Sequence, residues 1–226
     1  MEYKGYITSV EQLLSSMFVV SEGDFFRGHS RTDYRLVPSI GRLFKNNVHI
    51  IPQFERQIFD DFKRKYSLFS DARLSNDFDF LFLAQHHGLP TRLLDWTYNP
   101  LVALYFATAS NFDEDGCLFH SFPRRMIYNY EKVCNPFSVK ENILVLPNLT
   151  HVRYKNQNGL FMLYAEPHVE DKSASIEQFV IPKECKMKIQ QKLRKIGITP
   201  SYLFPSLDSL CSDIMDMYME RYGCYE

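Results

Sequence analysis

The sequence lacks the features that would place it in several well-known protein classes. Its five cysteines are odd in number and form neither a CxxC pair nor a zinc-finger spacing, which predicts free thiols and no metal. No segment approaches the roughly 20 consecutive apolar residues that cross a bilayer. The N-terminus also has no signal-peptide pattern. We therefore expect a cytoplasmic protein that does not associate with membranes.

Neither sign of charge predominates in the chain. The 26 Lys and Arg residues oppose 27 Asp and Glu residues, for a formal net charge of −1. This balance argues against a strongly basic DNA-binding module, although it leaves room for a local basic patch. The hydrophobic content of 45% is ample for a packed core, so residues 1–226 are expected to form one folded domain.

The common catalytic motifs are absent as well. The chain contains no GxGxxG, GxxxxGK[ST], HExxH or GxSxG. Rossmann, P-loop, zincin and α/β-hydrolase functions therefore lose their main support.

Hydrophobic periodicity and capping residues predict helices in the first half and at the C-terminus, and strands between them. The combination indicates an α+β fold, because the strands outnumber the long crossovers that a doubly wound sheet needs. Helices are predicted at 10–17, 52–69, 77–87, 101–109, 183–195 and 206–222, and strands at 24–28, 116–122, 142–146, 159–165 and 176–181.

One dense cluster of chemically active residues lies between two predicted helices. Residues 85–100 include two adjacent histidines, Arg92, Asp95 and the only tryptophan of the chain. Loops held between rigid elements often carry functional sites. The alternative is structural, with Arg92 paired to Asp95 and the tryptophan in the core. The histidines point in different directions, so a shared metal is not expected.

A second cluster surrounds Arg27. This arginine follows two phenylalanines and precedes Gly28, where a ligand could approach the backbone closely. A guanidinium in such a place suits bidentate capture of a phosphate or carboxylate. An ion pair with Glu55 or Asp95 is the competing interpretation, and the sequence leaves both open.

Both clusters resemble motifs of FRG-domain proteins. The first motif is Phe26-Arg27-Gly28, followed by Leu-Val-Pro-Ser-Ile-Gly-Arg at 36–42. The long run Ala-Gln-His-His-Gly-Leu-Pro-Thr-Arg-Leu-Leu-Asp-Trp-Thr at 84–97, continued by Asn-Pro-Leu-Val-Ala-Leu-Tyr-Phe-Ala at 99–107, is highly specific to that family. Later motifs lie at 157–161 and 203–208, so the resemblance spans about residues 20–215.

A more distant resemblance to ADP-ribosyltransferases implies a fold and a reaction. It implies helices packed on a split, mainly antiparallel β-sheet, and transfer of ADP-ribose from NAD to a protein or nucleic acid. The match consists of Arg27 on an early strand, Asp95-Trp96-Thr97 before a helix, and Glu177 opening a late strand, with Gln157 as a competitor for the last position. The resemblance also suggests a bacterial toxin or phage-defence effector, with an antitoxin or chaperone as its partner.

This resemblance assigns roles to individual residues. Glu177 would stabilise the oxocarbenium-like ribose, and Arg27 would hold the pyrophosphate or the adenosine side. His86, or alternatively His29, would orient the site or accept a proton. No metal is required. The residues expected to contact NAD are Arg27, Gly28, His29, Gln85, Arg92, Thr97, Tyr105 and Gln157.

Two other functions remain open at this point. Arg27, Arg35, Arg42 and Arg92, interleaved with aromatic residues, would suit a groove for a nucleotide or single-stranded nucleic acid. Alternatively, His29 or His86 could act with Glu55 or Asp95 in a nuclease, with or without Mg²⁺.

Overall fold

A computed structural model describes residues 3–16, 23–44, 46–71, 73–122, 127–128, 135–147 and 155–223. Its strands are β1 (Tyr3–Tyr6), β2 (Phe25–His29), β3 (Leu93–Thr97), β4 (Gly116–Ser121), β5 (Ile127–Tyr128), β6 (Ile143–Val145), β7 (Gly159–Leu163) and β8 (Ile176–Ile181). Its α-helices are α1 (Val10–Ser16), α2 (Ser39–Leu43), α3 (Ile51–Lys65), α4 (Asp77–His86), α5 (Pro100–Thr108), α6 (Lys183–Lys195), α7 (Pro200–Leu203) and α8 (Leu207–Arg221).

The strands form one mixed sheet of eight, in the order β1-β8-β4-β2-β3-β7-β6-β5. The pairs β1–β8 and β5–β6 are parallel, and the other neighbours are antiparallel. The expected α+β class is therefore confirmed. The sheet is continuous, but β2 and β3 share a single paired position, Phe26 with Thr97, whereas five pairs join β2 to β4.

The helix boundaries follow the capping residues that the sequence indicated. The Asn76 side chain accepts hydrogen bonds from the amides of Phe78 and Asp79 at 2.9 and 3.1 Å, which begins α4. The Asn99 side chain caps α5 in the same way, with Pro100 in the first turn. Gly88, with φ of 85°, follows the end of α4 in the left-handed region.

The central strand β3 was not among the strands predicted from periodicity. The sequence pattern places the segment 93–97 in the stretch between two predicted helices. Leu94 and Trp96 are buried on one face of the sheet, and Leu93 and Thr97 are buried too. Because residues on both faces are covered, the alternation that marks a half-buried strand is largely absent.

Helix α3 buries a different face from the one that the four-residue spacing of Phe54, Ile58, Phe62 and Tyr66 predicts. Its buried residues are Ile51, Glu55 and Phe59. Phe54, Ile58, Phe62 and Tyr66 instead line an open groove of about 920 Å³ between α3 and α4. Within the described ranges, no helix is long and apolar enough to cross a membrane.

Helix α5 packs directly on β2 and is buried on nearly all sides. The close approach requires a glycine, because a Cβ atom added to Gly28 would lie 1.8 Å from the carbonyl oxygen of Ala103. The missing side chain of Gly28 therefore admits the backbone of α5. A ligand contact at Gly28 stays a prediction, because Gly28 also lines the cleft described below.

We expect the substitution Gly28→Ala to lower the free energy of unfolding by about 2–4 kcal/mol, since the strand and helix backbones must move apart. Denaturant unfolding followed by circular dichroism measures this change. Gly5→Ala on β1 is the matched control, because its added Cβ would meet only Phe179 Cδ1, at 4.0 Å. Equal stability of both variants would contradict the proposed role of Gly28.

Candidate functional site

A cleft opens where β2 and β3 separate beyond their single paired position. Its walls are residues 26–28 of β2, residues 95–97 of β3, part of α5, and Gln157 just before β7. Its volume is about 140 Å³. This is smaller than the roughly 300–1,000 Å³ of sites that enclose a drug-sized ligand, so the cleft suits one ring-sized group with the rest of a ligand outside it.

The Arg27 side chain bridges the two separating strands. One terminal nitrogen, Nη1, donates to the backbone carbonyl of Asp95 and lies 3.8 Å from the carboxylate oxygen Oδ2 of the same residue. Its Nε donates to Nε2 of His29 at 2.8 Å. Burial lowers the pKa of Arg27 while the Asp95 carboxylate opposes that shift, and an arginine remains charged at ordinary pH. The cleft therefore contains a fixed positive charge.

The contacts of His29 determine its protonation state. Arg27 Nε can only donate, so Nε2 of His29 must accept, and the ring proton lies on Nδ1, 3.1 Å from the carbonyl oxygen of Tyr34. Burial, and then the positive charge of Arg27, lower the pKa of His29 to about 3. His29 is therefore neutral near pH 7 and orients Arg27. This role accounts for the position of His29 beside the cleft, and it does not require the NAD contact that the resemblance implied.

Asp95 brings a carboxylate to the cleft. Its side chain is 53% exposed, and Gln85 Nε2 donates to its Oδ2 at 3.0 Å. The other end of the Gln85 amide accepts a hydrogen bond from Thr91 Oγ1 at 2.7 Å. Gln85 is thus placed behind Asp95 and orients it, rather than lining the cleft.

Thr97 and Gln157 both line the cleft. The Thr97 hydroxyl donates to the backbone carbonyl of Gln157 at 2.6 Å and accepts from the amide of Asn99 at 2.9 Å. The Gln157 side chain donates from Nε2 to the carbonyl of Leu203 at 3.1 Å. The hydroxyl of Thr97 therefore has a structural task, and the side-chain amide of Gln157 is held by α7.

Glu177 lies outside the cleft. It is on β8, which β4 separates from β2, and its register partner on β4 is His120. Two strand spacings place it about 10 Å from β2. Its carboxylate oxygen is 3.5 Å from Lys4 Nζ on the edge strand. Of the two candidates for the last catalytic position, the structure brings Gln157 to Arg27 and leaves Glu177 apart.

Arg92 is a structural residue, which corrects its prediction as an NAD contact. Its guanidinium is buried and its Nε donates to both carboxylate oxygens of Glu55, at 3.0 and 3.1 Å. It also donates from Nη1 to the carbonyl of Tyr164 at 3.3 Å. The pair fastens α3 to the sheet. Glu55 is consequently engaged, and Arg92 does not share a groove with Arg27.

Tyr105 and His86 are also separate from the cleft. Tyr105 lies on the side of α5 that faces α6, where its carbonyl accepts from Gln190. The next residue, Phe106, lines the cleft instead. Because α5 is apolar on all sides, its sequence does not indicate whether Tyr105 or Phe106 lines the cleft. His86 ends α4 and its ring contacts that of His87, with centroids 4.8 Å apart.

The structure identifies the ion-pair partners of the two arginines, which the sequence left open. The Arg27 partner is Asp95, and the Arg92 partner is Glu55. Strand alternation would have found Asp95 as a site residue, because it shares a sheet face with Thr97 once 93–97 is recognised as a strand. Within the described part of the chain, no three His, Cys, Asp or Glu side chains are grouped to hold a metal ion.

Comparison with protein families finds that the FRG domain matches residues 23–116. The chain contains an FRG domain. The matched segment includes β2, β3 and helices α2 to α5, and with them Arg27 and Asp95. Comparison with curated proteins and with solved structures finds no significant match.

The low pKa of His29 predicts an acid-sensitive fold. An unfolded histidine binds a proton below its usual pKa near 6.5, whereas the folded FRG domain leaves His29 neutral down to about 3. The contribution of His29 to stability is therefore complete above about pH 6.5 and is lost progressively as the pH falls. Between about pH 7.5 and pH 5, we expect the free energy of unfolding to fall by about 2 kcal/mol less for His29→Gln than for the wild type.

Denaturant unfolding at a series of pH values measures this difference. His168→Gln is the control, since His168 lies outside the Arg27 contacts. Parallel pH profiles for the wild type and His29→Gln would contradict the neutral, buried assignment.

Proposed function

We propose that this protein is an ADP-ribosyltransferase that takes NAD as its substrate and modifies a macromolecule. The observation that carries the proposal is the meeting of Arg27, Asp95 and Gln157 in one cleft at the opening of the sheet. These side chains supply a cation, a carboxylate and an amide. A cation can hold the pyrophosphate of a dinucleotide, and a carboxylate can stabilise the positive charge that develops on the ribose when the nicotinamide–ribose bond breaks.

The size of the cleft is consistent with partial enclosure of NAD. A volume of about 140 Å³ accommodates a ring-sized group next to Phe106, Ala103 and Val102 of α5. The pyrophosphate would then lie towards Arg27, whose guanidinium can bind two phosphate oxygens side by side. The adenosine end would extend beyond the cleft.

Asp95 is the best-placed group to stabilise the developing charge. When nicotinamide leaves with the electrons of the glycosidic bond, the ribose becomes oxocarbenium-like, and a nearby carboxylate lowers the energy of that state. An acceptor nucleophile then bonds to C1 of the ribose and releases its proton. The resemblance assigned the carboxylate role to Glu177, but Asp95 already lies beside Arg27.

The arrangement of elements also supports an ADP-ribosyltransferase-like fold. Arg27 is on β2, Thr97 ends β3 and is followed by α5, and Gln157 precedes β7, the other neighbour of β3. These are the positions that the resemblance implied, with the opening between β2 and β3 in the place of the split. This chain departs from the ADP-ribosyltransferase pattern in having the amide of Gln157 at the position where a glutamate was expected.

We expect Arg27→Lys to reduce the rate of nicotinamide release from NAD by about tenfold or more, because lysine keeps the charge but cannot form the bidentate contact. Release is measured by chromatography with cell extract supplying the acceptor. Arg64→Lys, at an exposed position of α3, is the matched control and should retain the wild-type rate. If Arg27→Lys released nicotinamide at the wild-type rate, the proposed role of Arg27 in the reaction would be wrong.

A second pair of variants identifies the catalytic carboxylate. Asp95→Asn should lower nicotinamide release about 100-fold, whereas Glu177→Gln should change it little, since Glu177 lies two strands away from β2. Both substitutions preserve side-chain size and remove one charge. The reverse result, with Glu177→Gln inactive and Asp95→Asn active, would restore Glu177 as the catalytic residue.

Radioactive transfer from adenylate-labelled NAD to the protein, RNA and DNA fractions of the extract names the acceptor class. Failure of the wild type both to bind NAD and to release nicotinamide with any fraction would overturn the proposed function. Binding of single-stranded nucleic acid without NAD turnover would favour the binding-module alternative.

A further inference from the structure

A second cavity lies on a different side of α5 from the cleft. It is lined by residues of α6 and α8, by residues at the C-terminal end of α5, and by Pro200 of α7. Its volume of about 290 Å³ is twice that of the cleft and close to the lower limit for cavities that hold a small organic molecule. Tyr105 lines this cavity, whereas the next residue, Phe106, lines the cleft. The two sites are therefore separate, and α5 contributes to both.

Fixed contacts hold the walls of this cavity in place. Gln190 Nε2 on α6 donates to the carbonyl of Tyr105 at 3.0 Å and to the hydroxyl of Thr108 at 2.7 Å. These bonds join α6 to α5, and an ion pair between Arg194 and Asp216 joins α6 to α8. One part of the wall is apolar and consists of Ala109, Phe112, Met187 and Pro200. The cavity is therefore formed before any ligand enters it.

The hydroxyl of Tyr105 is a buried polar group that faces this site without a protein partner. Tyr105 is only 7% exposed, and within the described ranges its one hydrogen bond is the one that Gln190 donates to its carbonyl. Burial, and then the carboxylate of Asp213, raise the pKa of Tyr105, so the hydroxyl keeps its proton near pH 7. Since buried donors normally have an acceptor, a ligand with an acceptor atom would satisfy this hydroxyl.

The charged part of the wall carries both signs. Arg194 Nη2 lies 2.6 Å from Asp216 Oδ2, and Glu220 Oε1 lies 3.1 Å from Lys195 Nζ. An anionic ligand would meet the carboxylates of Asp216 and Glu220, and a cationic ligand would meet the guanidinium of Arg194. The wall therefore favours an uncharged ligand that both accepts and donates hydrogen bonds.

We propose that this cavity is a binding site for a small uncharged aromatic carboxamide. A primary carboxamide combines one acceptor oxygen and two N–H donors in a single uncharged group. Its oxygen accepts from the Tyr105 hydroxyl, its N–H groups donate to a carboxylate of α8, and its ring packs against Phe112 and Met187. This inference goes beyond the proposed function and does not depend on it, because it concerns binding at a different site.

Nicotinamide added to the full chain tests the site, and nicotinate is the matched control ligand. The two share a ring, but nicotinate carries a negative charge and lacks the amide donors. NMR of ¹³C-methyl methionine reports the location, because Met187 lines the cavity and Met217 of α8 does not. Nicotinamide should shift the Met187 signal with a dissociation constant of about 1 mM or lower, and it should leave the Met217 signal in place. Nicotinate should bind about tenfold more weakly or worse.

A variant tests the contact with the hydroxyl. Tyr105→Phe keeps the ring and should weaken nicotinamide binding about fivefold, because one hydrogen bond is lost. Tyr6→Phe, on the edge strand β1, is the matched control and should bind like the wild type. Circular dichroism checks that both variants are folded, and the comparison of ligands uses the wild type alone.

Three results would each overturn the proposal: an unshifted Met187 signal, equal binding of nicotinate and nicotinamide, or an unchanged affinity of Tyr105→Phe. Tighter binding of the cation 1-methylnicotinamide than of nicotinamide would overturn the uncharged class of ligand. None of these measurements uses NAD, so a failure of the proposed transferase reaction would leave them unaffected.

Discussion

The contact between helix α5 and strand β2 is the constraint on which the cleft depends. The backbone of α5 touches β2 at Gly28, and it touches the neighbouring strand β4 at Gly116, where an added Cβ would lie 2.2 Å from the carbonyl of Ala107. The end of α5 is also held by Lys186, whose buried ammonium donates to the carbonyls of Ser30, Ser110 and Asn111 at 2.7, 3.1 and 2.8 Å. Because α5 is fixed in this way, its residues form a rigid wall of the cleft between β2 and β3.

The opening itself is stabilised by Arg27. Where β2 and β3 separate, the backbone groups that would have paired need other partners, since unpaired buried polar groups are costly. The guanidinium donates a hydrogen bond to the carbonyl of Asp95, and neutral His29 accepts a hydrogen bond from its Nε. The same interaction that satisfies the separated strands therefore keeps a positive charge in the cleft. An anionic ligand would add acceptors to a cation that is already in position.

Much of the fold could be predicted from local sequence signals, but the set of residues that form the cleft could not. Caps at Asn76 and Asn99 and the glycine after α4 set helix ends through short-range hydrogen bonds and backbone conformation. Site residues meet through strand order instead, and the order here is not sequential. Glu177 heads a strand, as expected, yet β4 lies between it and Arg27. Likewise, Arg27 and Arg92 look equivalent in sequence, but only Arg92 is placed where Glu55 neutralises it.

The FRG segment supplies most of the cleft but cannot complete it alone. The matched residues, 23–116, contain β2 and β3, whereas nearly all of β4 and the whole of β7, their outer neighbours in the sheet, come later in the chain. Without these neighbours, both strands would keep one unpaired edge and would be joined to each other at one position only. Gln157 also comes from the later part, and a carbonyl of α7 holds its amide. The matched segment and the later part of the chain therefore build one sheet, and both contribute residues to the cleft.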